Sequence, residues 1–315
     1  MFIPILKSKP NEDISILIKA NNHAFNYICE CGDASDLTVK DCQQTNAIFI
    51  SHAHIDHIIN FDFILRHQIG IQRRVIICGP KGITQKIQSK ILGYEWNLIA
   101  SDAITYEIRE IHENGNITRS EIQPLTWEIK PLENNSSPIV YSNEIFDVYY
   151  TILDHKTASI AYLFKEKDSI KIDLSNSNHT PGSWIRELKE AYEHKKSERI
   201  IQIKDTQYKA SELFNLLSIK QGDSVGIIMD HKANEENHEK IKTLFSKCNN
   251  VFIESFYKEE DKELADLNYH SYSKASGEIM KTCKVPNAIP VHFSRKYNTE
   301  EIERLTTEFF ESYNN

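Results

Sequence analysis

No stretch of this chain reaches the ~20 consecutive apolar residues of a membrane-spanning helix. The opening Met1-Phe2-Ile3-Pro4-Ile5-Leu6 has no basic segment leading into an apolar one, so a secretory leader is not expected. The expectation is a cytoplasmic protein with no membrane partner. Its cysteines, Cys29, Cys31, Cys42, Cys78, Cys248 and Cys283, contain no C-x-x-C pair, which argues against a thiolate zinc site and for reduced core or near-core thiols. There is no basic excess either. A formal net charge of -8 speaks against a general nucleic-acid coat protein, although a local basic groove on an acidic enzyme is compatible with it. What is present is ordinary globular material. The 315 residues, 40% hydrophobic and 26% charged, suffice for one large domain or two small ones with a substantial core.

Short β-branched or aromatic runs end on polar, metal-capable groups. Ala47–Ile50 leads into Ser51-His52, Val148–Leu153 into Asp154-His155, Val225–Met229 into Asp230-His231, Val251–Ile253 into Glu254, and Ala288–Val291 into His292. Val75–Cys78 leads into Gly79-Pro80. Each run is too short for a globular helix and predicts a buried strand. Strand ends are natural sites because the strand fixes the position of an exposed loop. Helical periodicity lies between them, at Ile58, Phe61, Ile64, Leu65 and Ile69, at Ile185, Leu188 and Tyr192, and at Ile241, Leu244 and Phe245. The alternation predicts a layered α/β domain spanning 1–315. A polar, weakly periodic segment at about 176–222 predicts an insertion projecting from it.

The chemistry concentrates in Ser51-His52-Ala53-His54-Ile55-Asp56-His57, with three histidines and an aspartate within six residues, between a strand and an amphipathic helix. Each buried imidazole nitrogen needs a partner, and divalent zinc supplies one that favours imidazole nitrogen and carboxylate oxygen. The H-x-H pair can face one metal and the following D-H pair a second.

This H-x-H-x-D-H context resembles the metallo-β-lactamase superfamily and, within it, ribonuclease Z, the tRNA 3′-processing endonuclease. Further segments resemble that family in order along nearly the whole chain: Cys31-Gly32-Asp33-Ala34, Gly79-Pro80-Lys81-Gly82-Ile83, Asp154-His155 with Ile160-Ala161-Tyr162 and Glu166, Asp230, Glu254-Ser255-Phe256, Tyr269-His270-Ser271, and His292-Phe293-Ser294-Arg295-Lys296-Tyr297. There are departures. The first 22 residues hold no glycine, Met229-Asp230-His231 replaces the usual G-D-T, Ile253 replaces a histidine, and the Arg295-Lys296 order is unusual, which marks a divergent branch.

The resemblance implies an αββα sandwich with a projecting arm and two zinc ions, a site type that also accepts manganese or iron. It implies that His52, His54 and His155 hold one ion, that Asp56, His57 and His292 hold the other, and that Asp230 bridges them. Asp56 would orient or deprotonate the attacking water. His270, steered by Glu254, would protonate the leaving oxygen, and Ser294 and Arg295 would contact substrate. The arm of a homodimer would clamp precursor tRNA through Trp184, Arg186 and Lys189, with Lys195, Lys196 and Arg199 nearby. Two other readings fit the same residues, a hydrolase of a small phosphodiester or ester and a non-catalytic metal- or RNA-binding module.

Overall fold

The computed structural model describes residues 1–21 and 23–315. The chain divides into two compact units, Met1–Lys165 with Asp223–Asn315, and Glu166–Gly222.

The larger unit is built on two sheets. Nine strands, from Phe2–Leu6 to Asn135–Ser136, form the first; Ile139–Ser142, Phe146–Asp154, Ala158–Glu166, Ser224–Ile228, Asn250–Glu254 and Asn287–Val291 form the second, in that order. Side chains alternate across each strand, so each sheet has two apolar faces. From Thr45–Phe49, Ala47 and Phe49 join a core shared with Tyr162, Val225, Ile227 and Phe252 of the second sheet. Ile48 points the other way, onto Phe61, Ile64, Ile87 and Ile91 of helices Phe61–Gln68 and Ile83–Leu92. In the second sheet Val251 and Ile253 turn outward onto Ile241, Phe245, Met280 and Phe309. The layers are thus helix, sheet, sheet, helix. Gly226 permits one close approach, since a Cβ there would lie 2.7 Å from the Phe245 ring.

Parallel pairing of Asn26–Cys29, Thr45–Phe49 and Arg74–Pro80 brings the ends of these strands to one edge. Parallel pairing of Ser224–Ile228, Asn250–Glu254 and Asn287–Val291 does the same in the second sheet. All six cysteines are buried and free.

The smaller unit opens at Glu166, earlier than the composition change near 176, because strand Ser169–Ile172 pairs antiparallel with Leu217–Lys220. Those strands are half-exposed and carry lysines, so they lack the apolar signature of the buried runs. A helix, Trp184–Glu193, and a hairpin, Ile200–Ile203 with Thr206–Lys209, enclose a separate small core of Trp184, Leu188, Ala191, Ile201, Ile203, Ala210 and Leu213.

Candidate metal centre

Strand Thr45–Phe49 ends at a turn that leads through His52 and His54 into the one-turn helix Ile55–Ile58, which carries Asp56 and His57. His155 follows strand Phe146–Asp154, Asp230 follows Ser224–Ile228, and His292 follows Asn287–Val291 with φ 57°. These seven side chains converge. One ligand-capable atom from each of His52, His54, His155 and Asp230 lies within 4.8 Å of the others, as do those of Asp56, His57 and His292.

Asp230, 2% exposed, joins the two sets through different oxygens. Its Oδ2 is 3.7 Å from His52 Nε2 and 3.5 Å from His155 Nε2. Its Oδ1 is 3.3 Å from His57 Nε2 and 3.1 Å from His292 Nδ1. Asp230 Oδ1, His57 Nε2 and His292 Nδ1 are buried without a hydrogen-bond partner. Three orphaned polar atoms aimed at one point form an unfavourable arrangement that a cation would relieve, so the residues fit a metal. The electrostatics agree. Burial works against a charge on His57, yet Asp230 and Glu30 outweigh it and hold the imidazolium well above the ordinary histidine range. The same carboxylates would favour any cation there.

The rings are oriented from behind. His57 Nδ1 donates to Glu30 Oε2 at 2.9 Å, and Glu30 Oε1 also accepts the Ser51 N–H at 2.9 Å; Glu30 is fully buried. His155 Nδ1 lies 2.6 Å from the Tyr269 carbonyl. A carbonyl only accepts, so His155 donates from Nδ1 and presents Nε2 to Asp230. Asn237, also fully buried, fastens two of the turns together. Its amide donates to the Asp154 and Lys232 carbonyls, both at 2.9 Å, and its oxygen accepts the Asp154 N–H at 2.8 Å. Gly32 lets the Cys31-Gly32 turn press against the chain, since a Cβ there would meet the Asp13 backbone at 2.4 Å.

Beside the centre, His270 Nδ1 bonds Glu254 Oε1, while Glu254 Oε2 accepts the His231 N–H at 3.0 Å and the Ser271 N–H at 3.2 Å. The His270 ring stacks on Phe256, with centroids 3.9 Å apart and planes 5° off parallel. Burial opposes charge on both partners, but each overcomes it for the other: the Glu254 carboxyl lies below the usual carboxylate range and the His270 imidazole above its own. His231 supplies its backbone to Glu254, and its Nδ1 meets the Met229 carbonyl at 2.8 Å.

The expected substrate residues are placed less uniformly. Ser294 is buried, with its N–H on the Phe256 carbonyl at 3.0 Å. Arg295 is largely exposed and pairs with Asp13. Trp184, Arg186 and Lys189 belong to the smaller unit. There the expectation that Trp184 contacts RNA is corrected. Trp184 is 5% exposed, packs in that unit's own core and donates its indole N–H to the Thr180 carbonyl at 3.0 Å. Among charged neighbours an aromatic reads as surface, but helical spacing turns Trp184, Leu188 and Ala191 to one buried face. Arg186 is exposed and lies 3.7 Å from Glu190; Arg199 lies 3.3 Å from Glu190 and 3.9 Å from Glu187. Sequence reasoning missed Glu30 and Asn237. Glu30 had a signal, a carboxylate directly after the strand Asn26–Cys29, like the other groups at strand ends.

No family model matches the chain. In three dimensions it is similar to human tRNase Z, short form, with a TM-score of 0.58, 14% identity and 94% of each chain covered. It is also similar to the metallo-β-lactamase fold protein YhfI from Bacillus subtilis, with a TM-score of 0.57, 11% identity, and 99% of this chain and 93% of that one covered. The fold is therefore the metallo-β-lactamase fold. In sequence the chain is similar to ribonuclease Z of Deinococcus radiodurans, 24% identical over 302 residues, covering 92% of this chain and 89% of that protein. It is similar to ribonuclease Z of Borrelia duttonii, 27% identical over 314 residues, covering 96% and 86%. Ribonuclease Z homologues thus match most of its length at 24–28% identity.

Proposed function

We propose that this chain is a metal-dependent endoribonuclease of the ribonuclease Z kind that cuts precursor tRNA at its 3′ trailer, with two zinc ions as its metals. The observation that carries this reading is Asp230, whose two oxygens face two separate histidine sets in a chain similar to ribonuclease Z over most of its length. His52, His54 and His155 would hold one ion, Asp56, His57 and His292 the other, and Asp230 both. When bound, the ions supply Lewis acidity, stabilising negative charge on the phosphate and bringing the pKa of water toward neutrality. Asp56 is half-buried, 3.4 Å from His292 Nε2 and 3.5 Å from His57 Nε2, and it orients the attacking water and takes its proton. Glu254 occupies His270 Nδ1, so Nε2 is the nitrogen that meets substrate. His270 gives its proton to the departing 3′ oxygen as the phosphorus–oxygen bond breaks. The tRNA then ends in a free 3′-hydroxyl and the phosphate stays on the trailer. A homodimer working in the cytoplasm completes this reading. Among the described residues no helix is long and apolar enough to cross a membrane.

The test sets precursor tRNA beside bis(p-nitrophenyl) phosphate, with metal analysis and molar mass by light scattering on the same preparation. The expected result is one discrete cut leaving a 3′-hydroxyl, two ions per chain and a dimeric mass. Turnover of the chromogenic diester without any cut in tRNA would overturn the substrate, and no more than one ion at saturation would overturn the pair. His270→Ala should lower the rate with metal content unchanged. Loss of metal in that variant would instead make His270 a ligand, an arrangement its 3.7 Å approach to Asp230 Oδ2 would permit.

A further inference from the structure

Tyr269 stands in an unusual position. It caps helix Lys262–Asn268 with φ 60°, in the left-handed region that bulky residues rarely occupy. Its backbone already has a task, because its carbonyl holds His155 at 2.6 Å. A glycine would serve that task with less strain. The ring therefore invites a separate explanation. Two ammonium groups lie near it, Lys232 Nζ at 4.7 Å and Lys156 Nζ at 6.0 Å from its centroid. Lys156 directly follows His155, and Lys232 lies two residues past Asp230, so both cations stand on the turns that carry candidate metal ligands. Those turns are the ones Asn237 clamps together.

We propose that Lys156, Lys232 and the Tyr269 ring form a subsite for an RNA phosphate adjacent to the scissile one, on the His155 side of the centre. This rests on the ribonuclease reading above and deepens it, since it selects a polynucleotide over a small diester. The negative face of the phenol attracts both ammonium groups and offsets their mutual repulsion, so the pair is organised before substrate arrives. Lys232 is 2.8 Å from Asp266, a partner that is 69% exposed and therefore screened by solvent and salt. Among the described residues Lys156 has no ion pair, which leaves its charge available. A small diester carries only the phosphate that reacts. An RNA strand presents another on each side, and a contact to one of them adds binding energy remote from the reacting bond.

The experiment measures binding of a short single-stranded oligoribonucleotide by fluorescence anisotropy in EDTA over a salt series. Alongside it, kcat/KM is measured on precursor tRNA and on bis(p-nitrophenyl) phosphate with metal. Lys156→Ala and Lys232→Ala should each weaken RNA binding and lower the slope of log Kd against log salt, the two substitutions together by about 0.7, the value for one phosphate contact on a single strand. Both should lower the ratio of tRNA to diester kcat/KM. Tyr269→Gly keeps the left-handed backbone and the carbonyl on His155 but removes the ring; it should shift binding the same way, whereas Tyr269→Phe should behave as the parent does. If Tyr269→Gly does not fold, the two surface lysine variants decide. Parent-like affinity and salt slope in both lysine variants would overturn the subsite. Lysine-dependent RNA binding by a protein that never cuts RNA would keep the subsite and overturn the ribonuclease reading, so the two fail separately.

Discussion

Glu30 is a buried carboxylate that, among the described residues, holds His57 and the Ser51 N–H. Such a group behind a ligand fixes ring orientation and raises basicity, and losing it typically costs about 10–100-fold in metal affinity. On the proposed two-ion reading, Glu30→Gln should weaken one ion by about that factor while the other stays tight, measured by competition with a chelator of known zinc affinity. Equal weakening of both ions would mean that Glu30 supports the fold rather than His57. The seven candidate ligands were legible because each sits at the end of an apolar run, or in a cluster too rich in imidazole to pack without a partner. Glu30 also follows a strand but was passed over, because its partner lies 27 residues further on and a lone carboxylate in a turn does not by itself name what it holds. Trp184 misled for the converse reason: its burial comes from a small core that closes only when the hairpin Ile200–Ile203 and Thr206–Lys209 returns to the helix.

At the scale of elements, helix Glu235–Phe245 does more than cover the second sheet. Asn237, in its first turn, bonds to the turns that carry His155 and Asp230. Asn237→Ala would leave the Asp154 N–H without its acceptor and remove one of two donors from the Asp154 and Lys232 carbonyls, which keep the Lys232 and Asn234 N–H groups, and should cost about 1–3 kcal/mol, read from urea unfolding. One residue on, His238 has its pKa held down to about 4, first by burial and then by the neighbouring His231. The unfolded chain regains an ordinary histidine and binds the proton more readily. This contribution to stability is whole above about pH 6.5 and is lost as pH falls toward 4. His238→Gln should flatten that part of the stability profile, measured as the urea midpoint from pH 7 to 4.5. In the second sheet Phe146–Asp154, Ser224–Ile228, Asn250–Glu254 and Asn287–Val291 were legible from their β-branched runs, whereas Ile139–Ser142 and Ala158–Glu166 were not read as strands. Thr105–Ile111 and Asn116–Ile122 were not, because they carry charges: Glu107 is nearly buried within its strand and neutralised by Arg74, Arg109 and Arg119, partners drawn from two other strands and its own.

For the whole molecule, the net charge of -8 means that the proposed RNA binding would have to come from local features. The smaller unit is one candidate, and its limits show how to remove it cleanly. Lys165 and Ser224 are direct partners in an antiparallel ladder, so the chain leaves and returns at a single rung. Replacing Glu166–Gly222 by a short glycine–asparagine turn would close an ordinary hairpin, whereas a deletion confined to about 178–199 would cut through the packed core around Trp184. The excised protein should keep bis(p-nitrophenyl) phosphate hydrolysis within a few-fold and lose about tenfold or more in kcat/KM on precursor tRNA. Equal loss on both substrates with metal still bound would assign the unit to the catalytic core.

The candidate ligands are divided between the sheets. His52, His54, Asp56 and His57 follow a strand of the first, and His155, Asp230 and His292 follow strands of the second. Neither sheet alone offers a complete set, so full occupancy has to follow their docking, and the ions would then act as rivets across the sandwich. The consequence is kinetic. Separating the layers would require breaking coordination bonds, so the loaded protein should unfold far more slowly in strong denaturant than the chelator-treated protein, while the early phase of refolding should run at the same rate with or without metal.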